Sequence, residues 1–324
     1  MNTSDNKPYS LTWAGPTAAA LRQIYGTQSP ITLFLSKVND VHSRVRIVGP
    51  PFDPYAYAAA LNIRVKEEDH MAMDGLLRHR EGEGFEITLR KDQPSARKNF
   101  TLAHEIAHTF FYSDLLELDD KSKPTLGYDK EGEFLCDLAA AELLMPTNRF
   151  KKDLESKARD GKITPSTVLE LRALYNVSLQ AVCTRIARLR KDLICALWNL
   201  ESKAIHLEWV APSCVRPLVL CHTGHSSVER AFHRSGEVVT GIDWFYLRGK
   251  RAKRTTFSRS FRSGCALSVL QSGIPRRRRP FAIRYEDPQK EGSRDGQISF
   301  AWRDVNTKES DPSLVTGIRR TTGD

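Results

Sequence analysis

The spacing of hydrophobic and polar residues predicts a strand and two helices near the centre of the first two hundred residues. Residues 84–90 alternate between apolar and polar side chains, which is typical of a half-buried strand. Residues 97–108 have the sequence character of a helix. A second helix with an Ala-rich, packable face begins at Glu133 and ends at Met145-Pro146, because proline disfavours helical backbone in the residue before it.

The first predicted helix contains the sequence His104-Glu105-Ile106-Ala107-His108, an H-E-x-x-H motif. Side chains four residues apart share a face of a helix, so both imidazoles can reach one metal ion. Glu105 lies on the adjoining edge, where it can act on a metal-bound water rather than bind the metal. This arrangement is the signature of zincin peptidases.

The second predicted helix offers candidates for a third ligand. A catalytic zinc needs three protein ligands and keeps a fourth position for water. Glu133 and Asp137 are four residues apart and point the same way. One of them can ligate zinc while the other orients a histidine, although two acids on a helix can also be a solvated face. The H-E-x-x-H motif favours the ligand interpretation.

These segments resemble the ImmA/IrrE family of zinc metallopeptidases. Residues 97–108 are similar to its "R-x-x-F-T-x-A-H-E-x-x-H" block, and residues 133–146 to its "E-x-x-A-N-x-F-A-A-E-L-L-M-P" block. Cys136-Asp137 stands where Ala-Asn is usual, and Ala139 replaces the usual Phe. The resemblance extends over roughly residues 48–195, including a weakly similar entry helix at residues 50–63.

The resemblance implies that His104, His108 and Glu133 bind Zn²⁺ and that Glu105 is the general base. The chemistry of the residue types agrees, because such a base can take a proton from water and return it to the leaving amine. Asp137 then orients a histidine or serves as an alternative ligand. Tyr128, in the loop between the two helices, is a candidate donor to the developing oxyanion, although it can equally be a packed surface residue.

Two further apolar stripes at helical spacing fall within residues 150–195. The stripes consist of Val168, Leu171, Leu174 and Tyr175, and then of Leu179, Val182, Ile186 and Leu189. A turn at Asn176-Val177-Ser178 separates them, which gives a helix-turn-helix pattern. We expect either a structural subdomain that closes the zinc cleft or a surface that docks on DNA or a repressor. The DNA interpretation rests on a basic side of the second helix, formed by Arg185, Arg188, Arg190 and Lys191.

Composition favours a globular protein of the cytoplasm. The 324 residues suffice for two or three domains, and a hydrophobic fraction of 40% suffices for their cores. No apolar run reaches the length of a membrane span, and the first six residues lack a signal-peptide pattern. The six cysteines are scattered without a C-x-x-C, so we expect a reduced compartment and no disulfide framework.

Positive charge is concentrated near the C-terminus. Residues 201–324 hold 22 Lys and Arg against 13 Asp and Glu, whereas residues 1–200 hold 27 against 26. Between Trp244 and Tyr285 there are twelve basic residues and no acidic one. The candidate polyanion-binding residues are Arg248, Lys250, Arg251, Lys253, Arg254, Arg276, Arg277, Arg278 and Arg279. Aromatic residues lie among them, as in surfaces that bind nucleic acid, but an acidic protein partner or a merely solvated face is also open.

These observations predict an α+β protein. Its expected parts are an N-terminal extension (1–45) with one amphipathic helix and a short strand, a zincin-like peptidase domain (46–150) with a small sheet, and a helix-turn-helix-like subdomain (151–195). A basic, sensor-like α+β domain (196–304) and a disordered tail (305–324) follow. We further expect the strand before the H-E-x-x-H helix to bind extended peptide by main-chain pairing.

The resemblance implies an endopeptidase whose substrate is a specific regulatory protein, typically a helix-turn-helix repressor, so that cleavage derepresses a mobile element or a stress response. Two alternatives stay open. One is a nucleic-acid-binding regulator with a structural or vestigial zinc site, in which Asp137 could supply a fourth ligand. The other is a toxin-antitoxin partner that uses the same zinc chemistry.

Overall fold

The computed structural model describes Trp13 and residues 15–272, except for 27–28, 46, 81, 117–129, 203, 213–214, 216, 222–224, 235 and 263. These residues form helices and two sheets, so the predicted α+β class is confirmed. They fall into two compact units, one from Leu11–Phe150 and Ala173–Ser178, the other from Lys151–Arg172 and Leu179–Val305. Among the described residues, no helix has both the length and the apolar character that a membrane span requires.

The helices of the first unit surround a small sheet. They are α1 (Pro16–Tyr25), α2 (Pro30–Arg44), α3 (Pro54–Ala60), α4 (Ser95–Leu116) and α5 (Lys130–Leu144). Proline opens α1, α2 and α3, where its fixed φ suits the first helical turn and its missing N–H costs nothing. The side chain of Asp53 caps α3 by accepting a hydrogen bond of 2.9 Å from the Tyr55 amide.

The N-terminal segment is helical throughout its described part. The expectation of a short strand between Pro16 and Val38 is wrong, because Pro30 starts a second helix there. One side of α2 is buried at Leu33, Phe34, Val38 and Val41, at the spacing that one helix face requires. Both α1 and α2 contact α5, so these residues contribute to the same core as the candidate metal helices.

The sheet of the first unit has three strands in the order β1-β3-β2. They are β1 (Arg64–Glu68), β2 (Gly75–Arg80) and β3 (Gly84–Arg90), and β3 coincides with the predicted strand. Because β3 pairs with β1 on one side and β2 on the other, it has no free edge for a peptide. The expectation that this strand binds an extended peptide is therefore wrong. Strand β2, by contrast, has one edge without a strand partner among the described residues.

Three helices link the two sheets along the chain, namely α6 (Thr147–Lys157), α7 (Pro165–Tyr175) and α8 (Leu179–Leu189). Asn176 ends α7 with a φ of 50°, a left-handed conformation that asparagine tolerates better than most residues. The basic side predicted for α8 is smaller than expected. Arg185 is only 3% exposed, and Arg190 forms an ion pair of 2.8 Å with Asp192.

The second unit contains a six-stranded sheet in the order β5-β4-β9-β8-β7-β6. Its strands are β4 (Leu193–Glu201), β5 (Ala204–Ala211), β6 (Leu218–Leu220), β7 (Val239–Leu247), β8 (Lys250–Arg262) and β9 (Cys265–Gln271). A capped helix, α9 (Ser227–His233), contacts β7, β8 and β9, and a core around Trp198 and Phe245 fills one face of the sheet. The predicted strands at 196–198, 206–210 and 218–220 lie in β4, β5 and β6, whereas 298–302 and the tail from 305 lie outside the described residues.

Replacement of Phe34 by alanine tests whether α2 belongs to the core of the first unit. Phe34 is fully buried, with its ring about 6.0 Å from those of Phe110 and Phe111 on α4. We expect Phe34→Ala to lower the free energy of unfolding by about 3–5 kcal/mol, because it removes a large buried side chain. Val48→Ala, at a position 94% exposed, is the matched control and should change it by less than about 0.5 kcal/mol. Urea denaturation followed by circular dichroism measures both; equal midpoints for the two variants would show that α2 adds nothing to this core.

Candidate metal centre

Helix α4 presents the two motif histidines on one side while the rest of the motif region is buried. Ile106 and Ala107 have no exposed surface, which fixes the rotation of α4 about its axis. The imidazole rings of His104 and His108 are 4.9 Å apart between centroids, and their Nε2 atoms are 3.2 Å apart. The four-residue spacing therefore brings one nitrogen of each ring to the same place.

Glu133, in the first turn of α5, completes a group of three donors. Its Oε2 lies 3.2 Å from His104 Nε2, and its Oε1 lies 3.7 Å from His108 Nε2. Donor atoms of a tetrahedral zinc site, each about 2.0–2.1 Å from the metal, are separated from one another by about 3.3–3.4 Å. The nitrogen and oxygen donors are also of the chemical type that zinc accepts, so the residues fit the ion.

Within the described part of the chain, a metal-compatible cluster of His, Cys, Asp or Glu occurs at one place, and its members are His104, His108 and Glu133. Asp137 does not join them. Its Oδ1 lies 2.9 Å from His104 Nδ1, on the far side of the ring from the shared point. Cys136 has the same relation to the other ring, with Sγ 3.4 Å from His108 Nδ1. Each histidine is therefore held at Nδ1, which leaves Nε2 directed at the shared point.

The pKa values of the two histidines shift in opposite directions. Burial acts to lower the pKa of His104, but hydrogen bonds to Asp137 and Glu133 outweigh it and raise that pKa well above its usual value. Burial, together with the positive charge of His104, lowers the pKa of His108 to about 3. Burial alone would raise the pKa of Glu133, yet its hydrogen bond to His104 and the charges of both histidines lower it. A carboxylate and a neutral imidazole are thus available as donors.

Glu105 lies next to this group on the buried side of α4, and its exposure is 9%. Burial raises the pKa of Glu105 to about 7, the positive charge of His104 opposes this, and the negative charge of Glu133 adds to it. The backbone N–H of Leu77 on β2 donates a hydrogen bond to the Glu105 carboxylate, which also favours the ionised form. The carboxylate is therefore held near the edge strand and can exchange a proton near neutral pH.

Gly75, the first residue of β2, allows α4 to approach this strand closely. A Cβ atom at Gly75 would lie 2.6 Å from Thr101 Cγ2 and 3.0 Å from both Cγ and Oε1 of Glu105. Asp74, the preceding residue, accepts hydrogen bonds from the Arg97 guanidinium. It also forms an ion pair of 2.8 Å with Arg90. Arg97 belongs to the family-like block, so this contact ties the start of α4 to the start of β2.

Sequence reasoning missed Asp74, Gly75 and Leu77. An arginine at position 97 in the family-like block gave a signal that an acidic partner exists, but nothing in the local sequence identified Asp74 as that partner. Tyr128, proposed as an oxyanion donor, lies outside the described residues.

The described candidate polyanion residues are divided between the two faces of the second sheet. Arg276, Arg277, Arg278 and Arg279 lie outside the described residues. Arg248 is in the turn between β7 and β8, and Lys250, Arg251 and Lys253 are exposed along β8. Arg254 is half-buried opposite Asp243, on the other face of the sheet from Lys253.

Comparison with known proteins gives one match to a family. Residues 58–187, which include α4, α5 and the candidate metal ligands, match the family model of an IrrE N-terminal-like peptidase domain. No curated protein matches the chain. A Mycobacterium tuberculosis transcriptional regulator of known structure aligns over 74% of this chain and 87% of its own length. The sequence identity is 13% and the TM-score is 0.43, which is too low a similarity to support a conclusion. Residues 58–187 therefore form a domain of the IrrE N-terminal-like peptidase family, which confirms the family resemblance seen in the sequence of this segment.

Proposed function

We propose that this protein is a zinc-dependent endopeptidase that cleaves a specific regulatory protein, a helix-turn-helix transcriptional repressor, and so derepresses a mobile-element or stress response. One observation carries the proposal. Donor atoms of His104, His108 and Glu133 meet at separations of 3.2–3.7 Å, and the Glu105 carboxylate lies beside them. The substrate class is inferred from the family resemblance of residues 58–187.

His104, His108 and Glu133 would hold the zinc ion. When bound, the ion would supply a Lewis acid that activates water and polarises the scissile carbonyl. The Asp137 carboxylate keeps the proton of His104 on Nδ1, so that Nε2 carries the lone pair for the metal.

The free thiols of Cys136, Cys183 and Cys195 support the reduced, cytoplasmic location proposed from the sequence.

Glu105 is the proposed general base. A carboxylate whose pKa is about 7 can accept a proton from water and then donate it to the amine of the leaving peptide. The positive charge of a bound metal would shift that pKa downward and so favour the ionised base. The Leu77 amide holds the carboxylate in place between the two transfers.

The free edge of β2 is the proposed place for the substrate backbone. Leu77 on this strand contacts Glu105, so a peptide paired along β2 would run past the base. Pairing of this kind requires an extended segment. A folded repressor must therefore present a flexible loop or linker, which supports a narrow substrate range.

A nucleic-acid-binding regulator with a structural zinc is the second candidate. A structural site has four protein ligands, and Asp137 was the candidate for the fourth. Because Asp137 contacts the far nitrogen of His104, the described residues offer an open position, which favours catalysis. The toxin-antitoxin hypothesis assumes the same zinc chemistry and differs from the proposal only in the protein that is cleaved.

Glu105→Gln separates catalysis from metal binding. The substitution keeps the shape of the side chain but removes the base, so we expect cleavage to fall by about 10²–10⁴-fold with zinc content unchanged. Purified protein is incubated with candidate helix-turn-helix repressors, beginning with any that is encoded beside its gene, and the products are resolved by mass spectrometry. Cleavage at the wild-type rate by Glu105→Gln would refute the assignment of Glu105 as the base.

Alanine variants of Glu133 and Asp137 distinguish a ligand from a positioning residue. Asp137→Ala should weaken zinc affinity by about 10–100-fold, as expected when the hydrogen bond that orients a ligand histidine is lost. Glu133→Ala should weaken it further, because it removes a donor atom. Competition with a chromophoric chelator measures both affinities. If Asp137→Ala had the larger effect, Asp137 and not Glu133 would be the third ligand.

Gly75→Ala tests the close approach of β2 to Glu105. The added methyl group must displace Thr101 or Glu105, so we expect about a 10–100-fold loss of cleavage rate with zinc still bound. Gly49→Ala is the matched control, since its Cβ would be no closer than 3.4 Å to the flexible Arg149 side chain. Equal activity of the two variants would mean that the position of Glu105 does not depend on β2.

A further inference from the structure

The two faces of the β6-β7-β8 part of the second sheet differ sharply in composition. Phe245, Leu218 and Leu220 belong to the core cluster on one face. On the other face, three large apolar side chains are exposed to solvent. They are Val219 (52% exposed), Ile242 (61%) and Tyr246 (45%).

Strand register places a cation directly opposite each aromatic residue of this outer face. Trp244 on β7 pairs with Lys253 on β8, and Tyr246 pairs with Arg251. The Arg251 guanidinium lies 4.4 Å from the centre of the Trp244 ring, and Lys253 Nζ lies 5.9 Å from it. The motif of one aromatic residue beside one cation thus occurs twice along the hairpin, at a repeat of about 7 Å.

The turn of the hairpin adds two more cations. Arg248 and Gly249 have φ values of 51° and 78°, which give the two-residue turn that matches the twist of a β-hairpin. Lys250 follows the turn and is exposed, but it pairs with Leu247 and so belongs to the same face as Arg254 rather than to the outer face. Within the described part of the chain, no carboxylate forms an ion pair with Lys250, Arg251 or Lys253. The acidic residue of β7, Asp243, is buried on the other face, where it accepts a hydrogen bond from the Ser227 amide.

From this arrangement we propose that the outer face of the β7-β8 hairpin binds single-stranded nucleic acid. The binding residues are Trp244, Tyr246, Arg251 and Lys253. The cations contact phosphates, the aromatic rings stack on consecutive bases, and the planar guanidinium of Arg251 can do either. This site is independent of the proposed peptidase centre.

The aromatic residues decide between partners. The bases of a duplex stack on each other and offer no faces to a flat sheet. The exposed ring of Tyr246 and the half-buried ring of Trp244 therefore favour a single strand over a duplex. An acidic protein would be attracted by the cations alone and would not require two rings in register with them. The proposed site contains fewer residues than the basic cluster seen in the sequence. Arg254 is half-buried on the opposite face, and Lys250 has the same register as Arg254.

Fluorescence anisotropy with a labelled 16-nucleotide oligothymidylate tests the proposal on the full chain. Arg251→Gln with Lys253→Gln should lower the affinity and reduce the slope of log K against log salt by about 1.4, because two phosphate contacts are lost. Trp244→Ala should lower the affinity by about tenfold with the salt slope unchanged, whereas Trp244→Phe should retain most of it. A duplex of the same length should bind more weakly than the single strand.

Lys152→Gln with Lys162→Gln removes two exposed cations from elsewhere in the same unit and should leave binding unchanged. Circular dichroism confirms that each variant is folded. The proposal fails if the wild type does not bind the oligonucleotide, which is also the result expected of an acidic-protein surface. It fails equally if the duplex binds as tightly with no effect of Trp244→Ala, or if the control pair loses as much affinity as the Arg251 and Lys253 pair.

Discussion

The close packing of α4 against α5 is the interaction on which the candidate metal centre depends. Both helices bury small side chains, among them Ala103 and Ala107 on α4 and Ala139 and Ala140 on α5, which lets their backbones approach. Only then can the short side chain of Glu133 reach the Nε2 atoms of both motif histidines. Residues 138–141 of α5 are all apolar and at most 5% exposed. The N-terminal helices α1 and α2 contact α5 from outside and so contribute to the same rigid frame.

The arrangement requires four ionisable groups to be buried at one place, which costs free energy. Desolvation opposes the charged forms of His104, His108, Glu105 and Glu133 alike. Hydrogen bonds relieve part of the cost, since Asp137 and Glu133 keep a proton on His104 and the Leu77 amide stabilises Glu105. A divalent cation at the shared point would relieve much more, because it replaces protons as the partner of the carboxylate and the imidazoles. Metal binding and stability of the first unit are therefore coupled by the same charges that make the site reactive.

Local periodicity was enough to predict the parts of the site that lie on single helices. The i, i+4 pair in α4, the helix that carries Glu133 and Asp137, and strand β3 all follow from spacing within a dozen residues. Strand order could not be predicted in this way, because β2 became the free edge only through the pairing of β1 with β3. The close approach at Gly75 and the Asp74–Arg97 contact join residues that are more than twenty positions apart. The burial of Arg185 was missed for the same reason, since a helical pattern shows which residues share a side but not what packs against that side.

The second unit shows how strand geometry redistributes a charge cluster. Seven basic residues fall between Arg248 and Arg262, and from sequence they look like one surface. In a strand, neighbouring side chains point to opposite faces, so Lys253 lies on the outer face while Arg254 faces Asp243. The same alternation places Trp244 and Tyr246 outward and Phe245 in the core. The cations are thus separated by face, and those of the outer face pair across the strands with aromatic residues of β7. The result is a defined row of side chains rather than a general excess of charge. Total charge sets how strongly a polyanion is attracted, but register determines which chemical groups of that polyanion can be contacted.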